Sequence, residues 1–540
     1  MKLRPYQEEA VRSVLKEWDK GVKKTLLSLP TGTGKTICFS KVIEERVKEG
    51  DRCLILAHRG ELLDQAADKL LKSTGLNVAV EKAEESALGK WERVTVGSIQ
   101  SLSNPKRLKK FTKDYYDTIV VDEAHHVMSA SYLRVLNYFE NAKVLGVTAT
   151  PDRGDMQNLG KYFETLAYEY TMPEAIRDGF LVPIRSLSIP LEIDLRGVKQ
   201  TAGDFQASGV GHALEPYLEA IADEMLKYCK DRKIVAFMPL ISTSKKFVEI
   251  LNQKGFKAAE VNGSSRDRSE ILDAFGKDEY NVLCNAMLLT EGWDCPSVDT
   301  VIVLRPTKIR SLYTQMVGRG TRLHPGKDSL LLLDFLWMTE EHSLCRPAVL
   351  ISKDEEVQRK AEEKMAEAGG EILDLEQVVE EAETDVAEER EKSLAEKLEQ
   401  NRKKKKKLVD PLEYAVSVLD NDLMSYVPSF GWESEKPTEA QSKELEKLDI
   451  NPDALENAGQ ASLLISTIKK RKQKGLATPK QIRFLEKRGF KHVGLWKIDE
   501  ASDMIGRISM SYWKTPKGIN PSTYKPLSLV LKEMETCYEG

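Results

Sequence analysis

The chain has 540 residues, with 81 lysines and arginines against 85 aspartates and glutamates, for a formal net charge of −4. That length suits roughly three or four domains, and the balanced charge excludes a uniformly basic body, so any contact with nucleic acid must come from local patches. No apolar run reaches the roughly 18 residues of a membrane span, and the seven dispersed cysteines form no Cys-x-x-Cys pair, which argues against a zinc site and suits a reducing cytoplasm.

The apolar runs at 24–29, 52–57, 93–97, 117–121 and 143–148 read as strands separated by helical stretches. The same rhythm returns near 233–238, 257–261, 281–284, 299–304 and 329–334. A βα alternation predicts parallel sheets covered by helices on both faces. The fold class is therefore α/β: two tandem parallel-sheet lobes, 1–180 and 181–345, followed by a mostly α-helical region.

Residues 353–407 are dominated by Glu, Lys, Ala and Gln. Ile372, Leu375, Val379, Ala382 and Val386 follow a 3-4-3-4 spacing, too short for a coiled coil, which predicts a helix with one packed stripe. The five-lysine run Lys403–Lys407 suits a solvated face or phosphate contact. This stretch, 346–430, reads as a charged helical linker, and 431–540 as a helical accessory domain.

That last domain holds a repeat with a period of forty. Thr438, Gln441 and Leu445 align with Thr478, Gln481 and Leu485, and Ala461, Ser462, Ile465 and Ile468 align with Ala501, Ser502, Ile505 and Ile508. Thr-x-x-Gln is a capping box, and Pro479 fits a first helical position. Each copy is expected to be two short helices, and two copies together can bury a core. Lys469–Lys474 in the first copy, with Lys487, Arg488 and Trp496 in the second, suit either a DNA-binding face or plain helix packing, and the repeats could instead dock a protein partner.

Residues 29–36, Leu-Pro-Thr-Gly-Thr-Gly-Lys-Thr, follow a predicted strand and precede a helix. Backbone N–H groups can cradle a triphosphate only where no side chain blocks them, so Gly32 and Gly34, flanked by Thr31 and Thr33, suit that task. Lys35 would reach the β/γ-phosphates and Thr36 would ligate Mg²⁺. The helix dipole favours the same anion. Leu29 stands where the general pattern has glycine. Asp122 and Glu123 end another apolar strand, 117–121. Asp122 is placed for Mg²⁺, and Glu123 to deprotonate an attacking water.

These two motifs resemble those of superfamily 2 helicases of the DEAD/DEAH-box type, including RadD-type and phage DNA helicases and type I restriction motors. The rest of the series follows in order over roughly residues 1–340. Leu3-Arg4-Pro5-Tyr6-Gln7 resembles the adenine-reading segment, with Gln7 on the base and Arg4 beside it. That segment, so near the start, is expected to leave no room for a signal peptide. Leu54–Gln65, with Arg59 and Gln65, and Val96–Gln100, with Ser98 and Gln100, resemble nucleic-acid contacts, as does Thr290. His125, Thr148 and Thr150 resemble the residues that couple hydrolysis to movement. Lys233–Pro239 resembles motif IV, and Asn285–Asp294 resembles motif V, with Gly292 and Asp294 at the nucleotide. Gln315-Met-Val-Gly-Arg319-Gly-Thr-Arg322 resembles motif VI, where Gln315 joins two arginine fingers.

The resemblance implies two RecA-like lobes, ATP and Mg²⁺ as cofactors, and a nucleic-acid partner. It points to DNA rather than RNA, because the segment at 148–151 is Thr-Ala-Thr-Pro. It implies a helicase or translocase acting in repair, replication or recombination. Two alternatives stand beside it: a duplex translocase of a restriction or defence complex that does not separate strands, and a nucleotide-gated interaction protein.

Overall fold

A computed structural model describes residues 2–57, 60–149, 153–201, 204–265, 267–286, 289, 293–338, 344–403 and 408–530. The chain divides into two units, Met1–Lys353 with Gln358–Val379, and Asp354–Val357 with Glu380–Gly540. No helix among the described residues is long and apolar enough to cross a membrane.

The first unit holds two seven-stranded sheets. Strands β1 (Lys24–Ser28), β2 (Cys53–Ala57), β3 (Val78–Glu81), β4 (Val94–Ser98), β5 (Thr118–Asp122), β6 (Lys143–Thr148) and β7 (Thr165–Glu169) form the first. Their order is β3-β4-β2-β5-β6-β1-β7, and every pairing is parallel. β2 and β4 are buried at each position. Burial on both faces is why these strands are continuous apolar runs rather than alternating ones.

A small hairpin pair interrupts the second sheet after its first strand. Strand β8 (Ile184–Asp194) precedes the pair β9 (Gln200–Thr201) and β10 (Asp204–Phe205), and then come β11 (Ile234–Phe237), β12 (Ala258–Val261), β13 (Val282–Asn285), β14 (Thr300–Val303), β15 (Leu330–Met338) and β16 (Ile372–Asp374). The order is β12-β13-β11-β14-β15-β8-β16. β8 runs parallel to β15, and β16 closes the edge antiparallel to β8. Met225, Phe247 and Phe335 are fully buried on this sheet. The sheet thus reaches Asp374, past the expected boundary at 345. Ile372, expected on a helical stripe, is instead 45 % exposed in the edge strand. Leu375, Val379, Ala382 and Val386 do lie on the helix Leu375–Lys403 and are buried.

Two carboxyls are desolvated without full compensation, Asp334 buried within β15 and Glu362 half-buried on the helix Glu355–Glu367. Asp334 is 8 % exposed, and burial pushes its carboxyl up. Burial pushes Glu362 up to about 8, although Arg346 Nε stands 3.8 Å away. A free glutamate titrates near about 4.3. Between about pH 4 and 8 the folded chain therefore keeps a proton that the unfolded chain releases, and stability falls as pH rises through that window. Glu362→Gln should remove the penalty. The expected gain is about 2–4 kcal/mol near pH 7.5 and under about 1 kcal/mol near pH 5. Thermal melts at both values check this, and equal gains at both would contradict it.

In the second unit, Arg390 on the long helix donates to Asp354 (2.8 Å), Glu356 (2.6 Å) and Asn421 (2.9 Å), which joins the segment 354–357 to the rest. The repeat is built as two copies of one device. Thr438 caps the helix Glu439–Lys447 and Thr478 caps Pro479–Glu486, each with a reciprocal glutamine. Gln441 Nε2 then reaches Ala458 O (3.0 Å) and Ser462 Oγ (3.0 Å), while Gln481 Nε2 reaches Ile498 O (3.2 Å) and Ser502 Oγ (2.9 Å). Leu445 and Leu485, Ala461 and Ala501, and Ile468 and Ile508 meet in one core. Trp496 belongs to that core at 1 % exposure, against Phe490 and Tyr524, so it is not an aromatic on a DNA-facing surface. Lys404–Lys407 lie outside the described residues.

Candidate functional site

The loop at 29–36 leaves β1 and enters the helix Lys35–Lys48. Gly32 and Gly34 take φ of +89° and +85°, the left-handed region that side chains resist. A Cβ on Gly34 would lie 2.7 Å from Gln7 Nε2, and one on Gly32 would lie 3.1 Å from Arg322 Cγ. Thr33 turns inward: its Oγ1 donates to Pro30 O (2.7 Å), and its carbonyl accepts from Tyr6 Oη (2.6 Å) and Gln7 Nε2 (3.0 Å). Gln7 Oε1 takes Arg4 N (3.0 Å), so one end of the Gln7 amide holds the loop and the other holds the start of its own helix.

Two aromatics that sequence reasoning missed brace this arrangement. Tyr170 stacks on Tyr6 with centroids 4.3 Å apart, and Phe180 lies 5.0 Å from Tyr6 and beneath the Arg4 guanidinium. Tyr170 ends the alternation Leu166, Tyr168, Tyr170, which signals a strand but not a site, and Phe180 has no such pattern around it. A cavity of about 270 Å³ opens nearby, lined by Leu3 and Ile37 among others.

Asp122 is the last residue of β5, and its Oδ1 accepts from Glu123 N (3.0 Å). Glu123 itself takes φ +51°, a strained conformation for a residue with a side chain, and such strain clusters at functional sites. Burial raises its carboxyl, but Lys35, His125 and Arg319 outweigh that and hold it below the usual carboxylate range. His125 Nδ1 is 3.5 Å from Glu123 Oε2. One carboxylate is thus governed by a lysine from the first lobe and an arginine from the second.

The helix Arg310–Val317 and the turn after it supply the second wall. Arg319 Nη1 donates to Trp293 O (2.6 Å), and Arg322 pairs with Asp294. Both expected fingers are thus held by the segment expected at the nucleotide. A Cβ on Gly318 would fall 2.6 Å from Thr31 Cβ, so the turn lies directly on the loop. Gly318→Ala should prise the walls apart and lower ATP turnover about 10²-fold without unfolding the chain. Steady-state turnover with a thermal melt checks this, and unchanged turnover would mean that the contact is incidental.

Thr148 ends β6 and is 2 % exposed, and its carbonyl takes Leu29 N (3.1 Å) at the start of the loop. Ser98 ends β4, and its Oγ bonds Gln100 Oε1 (2.7 Å). Arg59, Thr150, Thr290 and Gly292 lie outside the described residues, as does the Gln65 side chain.

The walls fit a nucleotide with a cation. Thr31 Oγ1 and Gln315 Nε2 are buried on them with no hydrogen-bond partner among the described residues. Lys35 and Thr36 open the helix whose N-terminus favours phosphate. Thr36 and Asp122 are the oxygen donors that could hold Mg²⁺.

The family described as type III restriction enzyme, res subunit, matches residues 1–153, and the helicase conserved C-terminal domain matches residues 217–324. A Saccharomyces cerevisiae protein named as an ATP-dependent helicase, IRC3, is 31% identical over 404 residues, which is 70% of this chain and 58% of that protein. The type I restriction enzyme EcoAI endonuclease subunit of Escherichia coli is 25% identical over 386 residues, 62% of this chain and 46% of that one. The chain thus spans little more than half the length of the relatives that it matches first. Among solved structures, a fragment of an HsdR subunit of a type I restriction enzyme from Vibrio vulnificus YJ016 superposes with a TM-score of 0.50 at 23% identity, covering 64% of this chain and 70% of that one. The type ISP restriction-modification enzyme LlaBIII bound to DNA gives 0.52 at 16% identity, covering 94% of this chain and 42% of that one. At those identities the likeness is one of fold.

Proposed function

We propose that this chain, a member of superfamily 2 of the helicases, is an ATP hydrolase that converts nucleotide cleavage into movement along DNA and separation of its strands. The observation that carries this reading is the meeting of the two lobes on the loop, where Gly318 and Arg322 of the second stand against Thr31 and Gly32 of the first. Beside that contact Glu123 follows the strand β5, and Lys35, His125 and Arg319 favour its charged form, as a base requires.

Gly32, Gly34 and the following helix N-terminus, with Lys35, would take the triphosphate, beside Arg4 and Gln7. Thr36 and Asp122 would hold Mg²⁺, which when bound neutralises phosphate charge. The Glu123 carboxylate accepts the proton of the attacking water, and His125 beside it holds that carboxylate in place. Arg319 and Arg322 meet the charge that spreads over the transferred group, which is worth about 10³–10⁵ in rate. Once cleavage disperses that charge, the second lobe loses its hold and is free to part. Thr148, bonded through its carbonyl to the loop, carries the change to the rest of the first lobe. Ser98 and Gln100, with Arg59, Gln65 and Thr290, would follow the strand. The six described cysteines are free thiols, which agrees with a cytoplasmic site of action.

The choice of DNA rests on the Thr-Ala-Thr-Pro segment and on the names of the relatives. Turnover measured with and without single-stranded DNA or RNA tests it. DNA should stimulate more than RNA, and the reverse order would overturn the choice. The match to the EcoAI subunit favours a second reading, translocation on duplex without strand separation. Turnover on forked DNA without release of either strand would support that one.

A further inference from the structure

We propose that the second unit carries a nucleic-acid site of its own, an aromatic platform of Tyr512, Trp513 and Phe484 that takes single-stranded DNA. The choice of DNA over other polyanions rests on the reading above; the platform itself rests on how the two repeat copies differ.

The second helix of each copy ends on the same device. In the first copy the helix Ala458–Gln473 is closed by Leu476 N bonding Arg471 O (3.2 Å), with Gly475 at φ +67°. In the second copy the helix Ile498–Met510 is closed by Trp513 N bonding Ile508 O (2.9 Å), with Tyr512 at φ +54°. Glycine is the residue that this position favours. The second copy stops its helix three residues earlier than the repeat would place it and puts tyrosine and tryptophan at the left-handed turn. Tyr512 is 89 % exposed and Trp513 60 %. Both rings sit in a costly conformation and are left largely in water.

The surroundings select the ligand. Trp513 meets Phe484 edge-on at 6.2 Å, and the Arg488 guanidinium lies 3.7 Å over the Phe484 ring. The first copy has Glu444 at the place of Phe484, paired with Lys469 at 3.0 Å. Arg471 of the same basic run donates to Gly494 O inside the module, so that run is partly spent on packing. Residues 478–530 carry ten lysines and arginines against four acids, whereas 438–477 carry seven against six. Lys514 and Lys517 follow Trp513 directly and are exposed. A polyanion with free planar faces fits such a surface. Single-stranded DNA offers both, while a duplex hides its bases.

Binding of a fluorescently labelled oligo-dT to the full chain without nucleotide tests the proposal. Tyr512→Ala with Trp513→Ala should weaken it about tenfold or more, while Trp513→Phe keeps most of it. Tyr512→Gly should also weaken binding yet leave the melting temperature equal or higher, which separates lost stacking from misfolding. Lys514→Ala with Lys517→Ala should flatten the log–log salt dependence by about 0.7 for each lost phosphate contact. Unchanged affinity in the double aromatic variant would overturn the platform and leave the patch as a protein-docking surface. DNA-stimulated ATP turnover, read on the same samples, keeps the two proposals apart. Stimulated turnover with unchanged binding sinks the platform alone, and weakened binding with no stimulation sinks the motor alone.

Discussion

In Glu123→Gln, ATP binding is expected to persist while turnover falls about 10²–10⁴-fold. The amide keeps the shape of the side chain and loses its capacity to accept a proton. The folded chain favours the ionised form, so the amide gives up the attraction of Lys35 and Arg319, but it keeps the packing and the fold should survive. Lys35→Ala should differ in kind. It removes a contact to the phosphates and the first attraction that keeps Glu123 charged, so both binding and turnover should fail. Nucleotide binding measured beside turnover separates the two variants. Normal turnover in Glu123→Gln would remove Glu123 from the chemistry.

Arg319→Ala and Arg322→Ala are expected to cost about 10³–10⁵ in turnover each, with the fold intact. Removing Arg322 leaves Asp294, whose side chain is 52% exposed and can be hydrated. Removing Arg319 leaves the Trp293 carbonyl, which costs about 1–3 kcal/mol if unpaired, small for a lobe of this size. Two variants that lose turnover, still bind ATP and melt like the parent chain would fit fingers supplied across the cleft. Turnover at the parent rate in both would mean that the second lobe does not complete the site.

The central strands were legible because they are buried on both faces and read as unbroken apolar runs. The strands that escaped prediction lie at or near edges. β7 is only half-buried at all five positions. β3 is four residues long and ends in Glu81, whose buried carboxylate is held by Arg107. β8 contains Pro190, which argues against a strand. Its ladder skips from Ile189 to Glu192 opposite Phe335 and Leu336, and the proline sits in that bulge. The phosphate loop and the acid pair were legible because their chemistry dictates residue type and spacing locally. Tyr170, Phe180 and the Gly318 contact were not, since each depends on segments that the fold alone brings together. The repeat was legible to the residue, as the paired bonds of Gln441 and Gln481 illustrate. What differs between its copies showed only once burial was known: Trp496 lies inside, and Tyr512 and Trp513 lie outside.

The most direct test of the motor is the release of a third strand from a DNA that carries a forked end and a downstream triplex block, started by adding ATP. This reads movement along DNA whether or not the strands separate. Release by the parent chain should require ATP hydrolysis and be absent in Glu123→Gln. ATP cleavage by the parent chain at an undiminished rate with no release of the third strand would contradict it.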